Sequence, residues 1–361
     1  MTTRSSVGIA AQAARGATLV TKRRVEYRSL PSKSILNRCA NPRMPFRWTI
    51  NPYRGCEIGC HYCYAVYTHK YLGIDDPERF TSLVFSKVKA KELLERELHR
   101  GVKGPIAIGT GTDPYQPAER RFETTRGILE AFLTVSGHSI GITTKSDLVL
   151  RDIDLLGRIA ARNDLRVNVT VTTMDDALAR LLEPRAVRPD RRMETVRQLR
   201  WRGIPAGVFS CPVLPLITDT KEVLSAVAAQ AKRVDASCWT ANPLFLQPSA
   251  RKRLMPFLER RFPHLAARYR SHYRRGAYVS AGYMEWLERR VDRIRRRYGL
   301  AATIPFRPET AEPAPPVQPS LFEEPPRVDT GLLRPPAQTA ARNCSGRGSI
   351  GAATASRRQA A

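Results

Sequence analysis

Acid is scarce relative to base in this sequence: 33 Asp and Glu stand against 60 Lys and Arg in 361 residues, a formal charge of +27. A surplus of that size creates a positive field that steers and holds a polyanion, and nucleic acid is the obvious one. The alternative is a general arginine bias that decorates solvated faces. Long apolar runs are also missing. No stretch approaches the roughly 18 residues that cross a bilayer, and the N-terminus lacks the apolar core of a secretory signal. The expectation is a cytoplasmic protein without a membrane anchor. A disulfide framework is absent too, because Cys39, Cys211, Cys238 and Cys344 are scattered singly and the other three cysteines share one short loop. No acid precedes Glu26, so residues 1–25 read as a mobile basic leader or, alternatively, as an organellar transit peptide.

Hydrophobic residues make up 42% of the chain, enough for one substantial core. Apolar strand-like runs recur at 48–51, 106–109, 139–144, 167–173, 206–211 and 236–240. Helical patterns with apolar residues three and four apart fall between them, at 90–99, 124–135, 153–161, 193–201 and 221–233. This alternation is the βαβ signature of a parallel sheet, and periodicity leaves a partial barrel and an open doubly wound sheet both possible. In the run at 167–173, Val167, Val169 and Val171 share one face and Asn168, Thr170 and Thr172 the other, as a strand between helices and a polar cavity requires. The expected organisation is a leader (1–25), an α/β core (26–245), a basic helical extension (246–300) and a disordered tail rich in Pro, Ala and Arg (301–361).

The most informative motif is NPYRGCEIGCHYCYA, which carries Cys56, Cys60 and Cys63 in CxxxCxxC spacing. Three thiolates on one tight loop can each bind a different iron of a [4Fe–4S] cubane, leaving one iron open to a ligand that is not protein. Gly55 and Gly59 each precede a cysteine where the backbone must curl closely. A zinc knuckle completed by His61 or a remote cysteine is the alternative, but structural zinc sites come as two short ligand pairs and no second pair exists here.

This loop resembles the signature of the radical S-adenosylmethionine (SAM) enzymes, and the string CHYCY resembles the spore photoproduct lyase branch. The resemblance spans roughly residues 25–300. It implies a partial (β/α)6 barrel of the TIM type, a [4Fe–4S] cluster on the three cysteines, and SAM chelated to the open iron and cleaved to a 5'-deoxyadenosyl radical. It puts Thr112 at the position of a SAM-contacting serine and Lys145 at that of a SAM-binding lysine. Asp113 offers a carboxylate at the rim of the same loop, and Thr172 is the hydroxyl best placed on the fourth strand. Tyr62 and Tyr64 match tyrosines beside the cluster with a proposed share in radical relay. Glu183-Pro184 falls in a shared EP string and reads as a turn.

One position departs from the pattern. The lyase has a hydrogen-donating cysteine where this chain has Thr110, and a threonine O–H bond is too strong to replace a thiol. Cys211 and Cys238, in the fifth and sixth strands, are the candidate replacements.

The arginine-rich stretch 251–297 interleaves Tyr269, His272, Tyr273, Tyr278, Tyr283 and Trp286, which suits phosphate contacts and base stacking. Solvated helices closing the barrel would look the same. In the tail, Gln318, Leu321 and Phe322 resemble the QxxLF-type peptide that docks on the sliding clamp. The expected protein is a radical SAM enzyme with an external electron donor, acting on DNA in lesion repair. Modification of RNA or protein is the second reading, and a nucleic-acid-binding protein with a structural metal site the third.

Overall fold

The computed structural model describes residues 8–22, 24–42 and 44–304. In chain order its strands are β1 (Thr18–Lys22), β2 (Val25–Pro31), β3 (Leu36–Arg38), β4 (Trp48–Ile50), β5 (Tyr53–Arg54), β6 (Leu83–Val88), β7 (Ile106–Ile108), β8 (Ser139–Thr144), β9 (Asp164–Thr170), β10 (Ala206–Val213) and β11 (Trp239–Pro243). Seven of them form a sheet in the order β11-β10-β9-β8-β7-β4-β3. Every pairing in it is parallel except β3 with β4. The six parallel strands are those expected from the βαβ alternation, and β11 does not pair with β3, so the architecture is the partial (β/α)6 barrel.

Register decides what each face carries. Ile108, Ile142, Val167 and Ala206 lie abreast and pack under the helices in the main core. The intervening rows, Thr143-Asn168-Gly207 and then Thr170-Phe209-Thr240, point to the opposite, inner face. Apart from Phe209, the side chains there are small or polar and leave room that larger apolar ones would fill. The helices Ala90–Leu98, Thr124–Ala131, Ile153–Ala160, Pro189–Trp201 and Lys221–Arg233 cover the outer face.

The structure departs from expectation in two places and adds one feature. The run at 167–173 is β9 shifted three residues towards the N-terminus, so Thr172 lies beyond the strand; the Thr173 hydroxyl accepts from the Asp175 amide, and the Asp175 side chain caps helix Asp176–Leu182. Part of the segment read as a leader is folded: helix Ile9–Ala14 buries Ala13 beside Leu30, and β1, rich in β-branched residues, pairs antiparallel with β2. A second sheet of order β1-β2-β6-β5 was not anticipated, since β5 has only two residues.

The arginine-rich stretch forms helices Pro248–Arg261, Pro263–His272 and Ala281–Tyr298. The last buries Leu287, Val291 and Ile294 in the main core. Tyr269 and Tyr273 are buried, whereas Tyr278 is 55% exposed. Among the described residues no helix is long and apolar enough to cross a membrane. Gln318, Leu321, Phe322 and Cys344 lie outside the described residues.

Candidate active site

The cysteine loop runs from β5 to the short helix Tyr64–Leu72, at the carboxyl ends of the parallel strands. Two glycines let it turn. Gly55 has φ +84° and no room for a side chain, because a Cβ would stand 2.4 Å from the Leu83 carbonyl oxygen. Gly59 has φ +74°, with the Arg185 guanidinium 2.9 Å from its Cβ position.

Remote side chains fasten the loop. Gln116, fully buried, accepts from the Glu57 amide at 3.0 Å and donates to the Gly55 carbonyl at 3.0 Å. Arg253, from helix Pro248–Arg261, donates to the carbonyls of Gly59 and Cys60 at 3.3 and 3.4 Å. His61, offered above as a zinc ligand, stacks on Phe257 with centroids 4.1 Å apart.

Cys56 and Cys60 are buried and Cys63 is half-buried; all are free thiols. Burial raises all three, taking Cys60 to about 12 against the pull of Lys145. Backbone amides oppose that rise at two of them, the amide of Asp113 at Cys56 and those of Ala65 and Val66 at Cys63. Thiols that are costly to ionise alone suit a bound metal, which deprotonates its thiol ligands outright. Among the described residues no three His, Cys, Asp or Glu side chains gather closely enough for a single ion. A cubane takes one thiolate per iron, so Cys56, Cys60 and Cys63 could hold one.

Beside the loop lies a buried charge cluster. Glu183 and Arg192 pair at 2.5 Å with both side chains sealed from water. The Tyr62 hydroxyl donates to Glu183, and the Thr172 hydroxyl reaches the same oxygen at 3.4 Å. Burial alone would raise the Glu183 carboxyl, but Arg192 and Lys145 outweigh it and hold the group below the usual carboxylate range. Lys145 sits with its ammonium 5.9 Å from the centre of the Tyr62 ring. Burial pulls Lys145 down, yet Cys60 and Glu183 more than compensate and it stays cationic.

The loop after β7 is organised by Asn51, whose side-chain oxygen accepts from the amides of Gly111 (2.6 Å) and Thr112 (3.2 Å) and whose NH2 donates to the Thr110 hydroxyl. Thr112 is buried and donates to the Tyr53 carbonyl at 3.2 Å. Asp113 is occupied by protein donors: the Thr144 hydroxyl (2.7 Å) and the amides of Lys145 (2.6 Å) and Tyr115 (2.9 Å). It therefore fixes the end of β8, and with it Lys145. Tyr64 donates to the Thr110 carbonyl, and its ring lies 6.2 Å from Phe245.

The two spare thiols differ. Cys211 ends the inner face of β10 within the field of Lys145; its sulfur accepts from the Asn242 amide group at 3.6 Å, and burial lifts it to about 11. Cys238 is buried just ahead of β11, with its sulfur 2.5 Å from where a Cβ on Gly207 would be. That is the row of Asn168, deeper than Cys211.

The structure brings the three cysteines, Tyr62 and Lys145 together, and around them stand Asn51, Gln116, Arg192 and Arg253, which sequence reasoning missed, and Glu183, which it took for a turn residue. The EP string was the one available signal, since a carboxylate followed by proline can mark a buried anchor as well as a turn.

Residues 50–226 match the Radical SAM superfamily. An uncharacterised protein of Mycobacterium tuberculosis is 36% identical over 302 residues, covering 82% of this chain and 88% of that protein. An uncharacterised protein of Methanocaldococcus jannaschii is 28% identical over 201 residues, covering 56% and 73%. Among solved structures, a spore photoproduct lyase complexed with dinucleoside spore photoproduct superposes with a TM-score of 0.58 at 15% identity, over 75% of this chain and 79% of that one. At that identity the likeness speaks for the fold.

Proposed function

Because this chain belongs to the radical SAM superfamily, we propose that it holds a [4Fe–4S] cluster on Cys56, Cys60 and Cys63, binds SAM beside it, and acts by radical chemistry on DNA in the repair of a lesion. The observation that carries this reading is the meeting of three thiols on one tight loop with a half-buried cation, Lys145, at the carboxyl ends of the barrel strands. When bound, the cluster and SAM supply a one-electron cleavage that yields a 5'-deoxyadenosyl radical.

The protein's own side chains bind and orient. Lys145 neutralises the SAM carboxylate, and Asp113 sets its position through the β8 backbone. Thr112 and Thr172 present hydroxyl oxygens with lone pairs still free to accept from the cofactor. Glu183 and Arg192 keep Tyr62 in place, and Tyr64 forms the outer wall. Cys211 is the hydrogen donor for a substrate radical: its S–H bond breaks, a C–H bond forms, and the unpaired electron stays on sulfur. Cys238 lies deeper and packs as core.

DNA as substrate is supported by the charge of +27 and the arginine-rich helices. An external electron donor and a reducing cytoplasm complete the proposal, since an oxygen-labile centre needs both. The test is anaerobic incubation of the reconstituted protein with SAM and dithionite, followed by chromatography for 5'-deoxyadenosine. Wild type is expected to form it and the Cys56, Cys60, Cys63→Ala triple variant is not. Equal yields from both would overturn the reading.

A further inference from the structure

Away from the cysteine loop, a cavity of about 650 Å3 opens where helix Pro263–His272 turns back into helix Ala281–Tyr298. Arg268, His272, Arg274, Arg275, Tyr278 and Ser280 line it, and no acid does. The three arginines are exposed, and among the described residues no carboxylate pairs with them; Arg270, on the same helix as Arg268, is paired with Glu259. Cations left unpaired around a concavity repel one another unless an anion sits among them.

Two independent features point the same way. The cavity receives the N-terminus of an 18-residue helix whose first turn contains no acid. Ser280 caps the Tyr283 amide, while the amide of Ala281, at the cavity wall, has no acceptor within the helix. The cavity is also joined to the cysteine loop by aromatic rings. Tyr278 lies 4.6 Å from Phe245, and Phe245 lies 6.2 Å from Tyr64, which adjoins Cys63.

We propose that this cavity is the backbone-phosphate subsite of a single-stranded or locally unpaired polynucleotide, with Tyr278 as the platform on which an unstacked base lies on its way to the Tyr64 wall. The inference rests on the nucleic-acid reading above and adds where the strand is gripped. Arginine forks suit phosphate oxygens, and an exposed ring stacks on any base face without reading sequence. An enzyme that acts on a base must take it out of the helical stack, so a stacking residue between a phosphate grip and the reactive loop is where such a strand would be steadied.

The experiment is fluorescence anisotropy of the reconstituted holoprotein with a labelled single-stranded DNA oligonucleotide, across a salt series, with inorganic phosphate as competitor. Arg268, Arg274 and Arg275→Ala together should lower the slope of log K against log salt by about 2, at ~0.7 per phosphate released from a single strand. The charge-matched triple Arg96, Arg100 and Arg158→Ala should leave the slope near wild type. Tyr278→Ala should weaken binding about tenfold and Tyr278→Trp restore it, whereas a purely structural tyrosine would give no such rescue. Equal slopes for the two triple variants, or phosphate competing as strongly in the Arg268, Arg274 and Arg275 variant as in wild type, would overturn the subsite and leave the DNA reading standing. Failure of the wild type to bind DNA would overturn both.

Discussion

Glu183 and Arg192 face each other at 2.5 Å with neither side chain reaching solvent, and the same carboxylate receives the hydroxyl of Tyr62 from the cysteine loop. A buried pair of this kind joins the barrel wall to the cysteine loop. Arg192 extends the link, donating to the Thr170 carbonyl at the end of β9 and to the Val187 carbonyl.

Removing one partner leaves a buried charge alone. Glu183→Ala should cost about 3–5 kcal/mol of stability, and urea unfolding of the apoprotein measures it. The double change Glu183→Leu with Arg192→Met should recover much of the loss. Because the folded carboxyl is held below its ordinary 4.5, its contribution is complete above that value and is lost as pH falls through the folded value. The Glu183→Leu, Arg192→Met protein should therefore lose less stability on acidification than wild type.

Gln116 satisfies two backbone groups of the loop at once. Gln116→Ala strands the Glu57 amide and the Gly55 carbonyl, at about 1–3 kcal/mol for each buried group left unsatisfied. Iron and sulfide content after reconstitution and gel filtration should fall, while far-ultraviolet circular dichroism stays near wild type.

Cys211 and Cys238 are told apart by position. With ultraviolet-irradiated DNA as substrate, Cys211→Ala should still cleave SAM but lose lesion turnover. Cys238→Ala should keep both activities, with a stability loss on the order of 1 kcal/mol from the core. Turnover that survives in the Cys211 variant and vanishes in the Cys238 variant would reverse the assignment.

Leu321 and Phe322 resemble the apolar pair of the QxxLF-type peptide, and we propose that they dock on a sliding clamp. Their joint change to alanine should abolish binding to a bacterial sliding clamp in surface plasmon resonance and leave SAM cleavage untouched.

What the sequence disclosed and what it hid follow from distance along the chain. The run 139–144 and the helix over 221–233 are found where periodicity puts them, because each is a local pattern of apolar side chains. The cysteine loop is equally local. The residues that hold that loop are not: Gln116 meets Gly55, Glu183 meets Tyr62 and Arg253 meets Cys60 only after the barrel has formed. Single polar residues carry no period, so nothing in their neighbourhood marks them. Thr172 slipped out of its expected strand for a related reason, since Thr173 and Asp175 turn the chain by hydrogen bonds that a run of β-branched residues conceals.

The most direct measurement is electron paramagnetic resonance of the anaerobically reconstituted, dithionite-reduced protein, with and without SAM. The account predicts the signal of a reduced [4Fe–4S] cluster that shifts on adding SAM and is absent from the triple cysteine variant. Tightly held zinc, or a cluster signal indifferent to SAM, would contradict it.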